Sequence, residues 1–269
     1  MRPDLPDFRK PPVSEVALSV QFDPLENFHL VHMGLLWERF RAKYPRAEEH
    51  PPIESVIEFE EKPAAINVQI YSTAPPVRVW FVSDDESDLV QVQRDRFIRN
   101  WRGPGDRYPR YEKLRDLFRE DYATFLSFLA EEGFAAPIPR QCEITYVNQI
   151  VAGEGWQHHG EAHQVFQACS LPGPSPEPEP EDFGFAVRYL IRNEEVSPVG
   201  RLYVTVSSAQ RKKDLKPLFV MTLIARGMLP SKSTESILAF LDLGRAWIVK
   251  RFAALTTERM HEIWGRQGA

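Results

Sequence analysis

Two cysteines in 269 residues are too few for a disulfide framework, which excludes the disulfide-dense secreted scaffolds. No run approaches the roughly 18 uninterrupted apolar residues of a membrane-spanning helix. The opening MRPDLPDFRKPPV lacks the apolar core of a secretory signal. An excess of positive charge is missing too. Lys plus Arg total 33 against 38 Asp plus Glu, a net charge of −5, so a basic coat for nucleic acid is excluded and only a local basic patch remains open. No Gly-x-Ser-x-Gly elbow, Gly-x-Gly-x-x-Gly turn or kinase set occurs, and Gly103-Pro104-Gly105 is followed by no Lys-Ser/Thr pair. These absences predict a cytoplasmic protein with no membrane contact and no cofactor. The rest of the composition, 43% hydrophobic and 26% charged, is that of an ordinary globular chain, long enough for one large domain or two modest ones.

Proline is plentiful: 23 residues, above the roughly 5% usual in proteins. The pairs Pro11-Pro12, Pro51-Pro52 and Pro75-Pro76 mark boundaries, because proline fixes φ and has no amide donor. Val16, Leu18, Val20 and Phe22 alternate with Ala17, Ser19 and Gln21, the period of a half-buried strand. A helical segment follows, with Phe28, Val31, Leu35, Leu36 and Phe40, ending before Pro45. Strands are expected at about Glu54–Glu60, Ile66–Tyr71 and Val77–Ser83, then one longer strand over Leu89–Trp101. Tyr111, Leu114, Leu117, Phe118, Tyr122, Phe125 and Leu129 stripe a helix from Pro109 to Gly133, where glycine suits the C-terminus.

The second half repeats the theme. A strand from Cys142 to about Ala152 leads to a short helix over Glu161–Cys169. The stretch PGPSPEPEPED (172–182) is proline-rich and acidic and reads as an exposed, extended loop. Strands at about Phe183–Arg192, Arg201–Gln210 and Leu218–Arg226 precede a long helix from Thr234, and Thr256-Thr257-Glu258 caps a last helical segment. The expected class is α+β, an antiparallel sheet or sheets with long helices on one face. Residues 1–135 read β-α-β-β-β-β-α and residues 136–269 read β-α-β-β-β-α, two pseudo-repeats in topology without sequence identity. A single domain without internal symmetry is the alternative.

Two segments carry candidate chemistry. Between Arg94 and Arg115 stand eight basic residues against three acidic ones, with Phe97, Trp101, Tyr108 and Tyr111 interleaved. Arginine favours bidentate contacts with carboxylate or phosphate, which makes Arg94, Arg96, Arg99, Asn100, Trp101 and Arg102 the candidates for an anion or a partner. The competing reading is structural: arginines paired with the acidic runs 48–61 and 84–88, and Trp101 in the core. Val90 and Val92 differ in parity from Phe97 and Trp101, which predicts a bulge near Asp95–Arg96. In His158-His159-Gly160-Glu161-Ala162-His163, His159 and His163 have the i, i+4 spacing of a zinc helix. Glu161, however, is turned about 200° from His159 on a helix, and a third ligand from Glu154, Cys169 or His261 is not demanded by the spacing. A solvated helix end is the plainer reading.

Pro11–Val16, Gln91–Trp101, Tyr108–Tyr111 and Leu255–Trp264 together resemble the TIGR04255 family of bacterial proteins, scattered sporadically across genomes and with no assigned activity. The resemblance implies an accessory role of the kind seen in mobile or defence-associated systems, such as antitoxin-like neutralisation of a partner. The leading expectation is therefore a non-catalytic interaction module with a protein partner, homodimerisation being open. The alternatives are a nucleic-acid binder using residues 94–115, since two such halves resemble in outline the saddle of TATA-box-binding proteins, and a metal enzyme at His158–His163.

Overall fold

Val16, Leu18, Val20 and Phe22 do form the sealed side of a ten-residue strand, and the same alternation recurs through most of the sheet. The computed structural model describes residues 5–60, 77–169, 180–193 and 195–267. In chain order its elements are β1 (Asp7–Phe8), β2 (Val13–Phe22), α1 (Leu30–Phe40), β3 (Arg46–His50), β4 (Arg78–Val82), β5 (Asp88–Gln93), β6 (Arg96–Arg102), α2 (Tyr111–Glu131), β7 (Pro139–Val151), α3 (Ala162–Val165), β8 (Gly184–Arg192), β9 (Pro198–Gln210), β10 (Pro217–Met228), α4 (Thr234–Leu255), α5 (Glu258–Trp264) and β11 (Arg266–Gln267). Nine strands make one antiparallel sheet in the order β3-β4-β5-β6-β2-β7-β10-β9-β8, so the class is α+β. β2 pairs with β6, and β7 pairs with β10 in the same manner. The two first strands meet at the centre, Leu18 opposite Ile144.

Helices α1, α2 and α4 pack on one face of this sheet. The apolar stripe of α2 lies on β6, where Phe97 meets Phe118 and Phe125 at ring separations of 6.0 and 5.2 Å. Gly133 ends that helix at φ +78°, a conformation that costs a side-chain-bearing residue more. Gly244 lets α4 approach β7: a Cβ there would lie 2.7 Å from the Ile144 methyl. Thr257 caps α5 by accepting from the Met260 amide, and β1 pairs with β11 so that Phe8 packs against Phe252 and Trp264. One contiguous apolar core joins the helices to every strand except β3 and β11. Among the described residues no helix is long and apolar enough to cross a membrane.

Several expectations need correction. Leu89–Trp101 is a hairpin, β5 and β6, joined at Arg94-Asp95, rather than one bulged strand. Val90 and Val92 face the helices before the turn, and Phe97 and Trp101 after it, so the change of parity comes from the reversal itself. No glycine or asparagine marks the turn; it is held by Gln93 donating to the Asp95 carboxylate at 2.7 Å, and the Arg94 carbonyl accepts from the Leu25 amide at 2.8 Å. Residues 54–60 form no strand but belong to a strap, residues 51–60, that crosses the open face and turns at 58–59, and the edge strand of that half among the described residues is β3, Arg46-Ala47-Glu48-Glu49-His50. Charge on an edge strand hides its period from a hydrophobicity reading. The short helix expected to Cys169 stops at Val165. The strand expected at Ile66–Tyr71 lies outside the described residues, as does most of the 172–182 loop. Residues 180–182 of that loop are exposed.

Candidate functional site

The side of the sheet away from the helices is polar, and strand parity decides what it displays. On β6, Arg96, Ile98, Asn100 and Arg102 stand opposite Gln21, Ser19, Ala17 and Glu15 of β2 on this open face. Phe97, Arg99 and Trp101 point to the helices. The candidate arginines are therefore divided between two faces. Arg99 is fully buried, beside Asp88 and with its Nε 3.4 Å from an Asp121 oxygen, where Tyr44 donates to the same carboxylate at 2.7 Å and Lys43 at 2.9 Å. Burial foremost, then the Asp121 charge, raises the Tyr44 phenol far above its ordinary value. Trp101 is a core residue, 5.4 Å from the Tyr108 ring. Arg94 sits at the hairpin turn and donates to the Leu25 carbonyl at 3.1 Å.

Arg96, Asn100 and Arg102 join a constellation that reading the segment alone did not reveal. Its centre is Trp80 on β4. The His50 ring stacks on it at 3.7 Å, and the guanidinium carbons of Arg102 and Arg78 lie 4.6 and 5.3 Å from its centroid. Arg78 donates to Gln91 at 2.8 Å, Gln91 to Asn100 at 2.7 Å and Asn100 to Glu15 at 2.6 Å, while Arg102 stands 3.5 Å from the same Glu15 oxygen. Arg96 donates to Gln21 at 2.8 Å and to the Glu54 carbonyl of the strap at 3.2 Å. Burial, then the charges of Arg96 and Arg102, pulls the Arg78 guanidinium below its ordinary value; burial does the same to Arg96 against the opposing pull of Glu143 and Asp95. Among the described residues the Nε donors of Arg78 and Arg96 and the indole N–H of Trp80 are buried without an acceptor, and the Nε of Arg102 faces only the Glu15 oxygen at 3.5 Å, too far for a hydrogen bond. Each such donor costs about 1–3 kcal/mol unless something supplies an oxygen. The period of two in β4, which sets Arg78 and Trp80 on one face, was the sequence signal for this site.

Beyond Arg96 the strap, residues 51–60, continues over the sheet centre. Ser55 accepts from Gln21 at 2.7 Å, and the Glu58 amide donates to Gln141 at 2.8 Å. The Glu58 carboxylate, nearly fully buried, accepts from Arg201 at 2.6 Å and from the Tyr203 hydroxyl at 2.9 Å, with Arg226 at 3.5 Å. The hydrogen bond to Glu58 raises Arg201, and burial foremost raises Tyr203.

The histidine cluster is not brought together. His159 lies in a single 3-10 turn with its Nε2 3.2 Å from the Leu218 carbonyl and its ring on Phe219, whereas His163 is exposed beside Gln164. His261 is buried against Thr256 at 2.8 Å, and Cys169 is buried as a free thiol. Among the described residues no three His, Cys, Asp or Glu side chains are placed to hold a metal.

At the β3 end of the sheet the other face is also distinctive. Helix α1 buries Met33, Leu36 and Phe40 but exposes Leu30, Val31 and Leu35, and a groove of about 290 Å³ runs between it and β3–β4. Comparison with protein-family models, curated proteins and solved structures finds no match for this chain.

Proposed function

We propose that this chain is a non-catalytic protein-interaction module of the accessory, antitoxin-like kind, and that its partner docks at the β3 end of the sheet with a carboxylate side chain seated among Arg78, Trp80 and Arg102. The observation that carries this reading is the group of buried donors on the open face that find no acceptor among the described residues. A carboxylate supplies acceptor oxygens for such donors, and charge-assisted bonds to guanidinium are the stronger kind. The apolar outer side of α1 and the outer edge of β3, which no described strand pairs, offer the same partner hydrophobic area and backbone pairing.

Two features favour a protein over a nucleic acid. Trp80 already has the His50 ring stacked on it and two guanidiniums within 5.3 Å of its centroid, groups that a stacked base would have to displace or compete with. Glu15 and Glu48 flank the cluster, which suits one inserted carboxylate better than a continuous polyanion. The test is fluorescence anisotropy with a labelled glutamate-rich peptide and a labelled single-stranded oligonucleotide, comparing the native chain with Arg78→Gln/Arg102→Gln. Peptide binding weakened roughly 10- to 100-fold by the double substitution is expected, at about 1.5–3 kcal/mol for lost charged hydrogen bonds. Salt-sensitive binding of the oligonucleotide that the variant loses would replace this reading with the nucleic-acid one. Binding of neither probe would discard the site.

A further inference from the structure

On the helix side, far from the Trp80 cluster in sequence, the start of α2 and the middle of α4 enclose a cleft that the N-terminal segment covers. Its inner chamber, about 50 Å³, is walled by Phe8, Val13, Ile248 and Phe252. Tyr108, Tyr146 and Arg245 supply its polar side. The chamber opens into an outer cleft of about 630 Å³ that shares Asp7, Arg110 and Arg245 with it.

Three observations converge on Arg245. The neighbouring cations are paired, Arg110 with Asp7 at 2.9 Å and Arg115 with Asp242 at 2.8 Å. Arg245 has no carboxylate partner among the described residues; its guanidinium lies 5.3 Å over the Tyr111 ring and its buried Nε finds no acceptor. Secondly, the Tyr108 and Tyr146 hydroxyls are 2.8 Å apart. Burial raises both phenols, Tyr146 to about 12 with Arg245 pulling it back, so each keeps its proton at neutral pH. Two hydroxyls carry two protons and the bond between them uses one, leaving the other as a donor. Thirdly, Arg110 opens α2 at φ +73° and ψ 154°, a region that residues with a Cβ rarely occupy, held there by its bonds to Asp7 and the Phe8 carbonyl at 3.0 Å. Backbone strain of this kind gathers at ligand sites, where surrounding contacts maintain it.

We infer that this cleft is a binding site for a small monocarboxylate with a short alkyl tail. The carboxylate pairs with Arg245 and accepts the remaining tyrosine proton, and the tail enters the chamber between Val13 and Ile248. The chamber is several times the roughly 10–15 Å³ that admits one water, which sets the tail at two or three carbons. Asp7, Glu112, Asp116 and Asp242 line the outer cleft against Arg110, Arg115 and Arg245, so its cations are already matched in number by carboxylates and a dianion such as phosphate is less well compensated there than a single carboxylate.

Thermal unfolding and titration calorimetry with sodium propionate test this, with matched sodium chloride, sodium phosphate and propylamine as comparisons. A saturable rise in Tm with propionate alone is expected, and Arg245→Gln should weaken binding by roughly tenfold or more. Because Arg245 has no ion pair among the described residues, Arg245→Gln should fold; if it does not, Tyr146→Phe carries the test with a smaller loss. Absence of a saturable shift with propionate, an equal shift with phosphate, or unchanged affinity in the folded variant would overturn the inference.

Discussion

Arg99 and Arg102 lie three residues apart on one strand, yet opposite parity gives them opposite consequences on substitution. The Arg99 side chain has no exposed surface, and its partners Asp121 and Asp88 are 6% and 29% exposed. Removing one member of a buried ion pair costs about 3–5 kcal/mol, chiefly through the charge left behind. Three features lower that figure here. Lys43 and Tyr44 remain on Asp121, Asp88 is partly exposed, and two Arg99 nitrogens lack good acceptors among the described residues. Arg99→Met should therefore lose about 2–4 kcal/mol, which at about 2–4 °C per kcal/mol lowers Tm by roughly 4–16 °C. The Arg102 side chain is 35% exposed and stands 3.5 Å from a Glu15 oxygen that is itself half-buried. Arg102→Met should cost no more than about 1 kcal/mol. Urea and thermal unfolding of both variants decide the matter. Equal losses, or a loss below about 1 kcal/mol for Arg99, would refute the assignment of the two faces.

Two further outcomes follow from the strap and from the chain terminus. Glu58→Gln should release the strap from Arg201 and Arg226 while the sheet stays folded; faster hydrogen exchange at the Ile53 and Glu58 amides, which Gln93 and Gln141 accept at 2.8 Å, is the expected signature, and unchanged exchange there contradicts it. Desolvation holds His261 below its ordinary value, with Glu258 pulling the other way. The unfolded chain thus takes up this proton first, so the stability is complete above the unfolded pKa near 6.5 and declines as pH falls from there toward the folded value. Tm measured from pH 7.5 to 5.5 should fall more steeply in the native chain than in His261→Gln, and parallel slopes would show that His261 does not carry this dependence.

Much of the fold was legible because strands and helices announce themselves by period. Val16 to Phe22, the Tyr111-to-Leu129 stripe and the alternation of β7 need only local sequence to declare which side is apolar, and residues 136–269 give their strands in order. The α+β class follows from those elements. Where local chemistry is ambiguous the sequence was silent or misleading. Arg94-Asp95 carries no glycine or asparagine, and β3 is too charged to show a period. The strap looked like a strand because its extended backbone is bonded to side chains of the sheet instead of to another strand. The arginine segment was recognisable as unusual, but its meaning depended on the hairpin. Reversal at Arg94-Asp95 sends Arg99 and Trp101 into the core and Arg96, Asn100 and Arg102 to the open face. Arg78, Trp80 and His50 join them only because β3, β4, β5 and β6 lie side by side, bringing together residues up to 52 positions apart, from His50 to Arg102. Period and composition are properties of neighbours along the chain, and they fixed the elements; a site is made of neighbours across strands, and only sheet order and register place those.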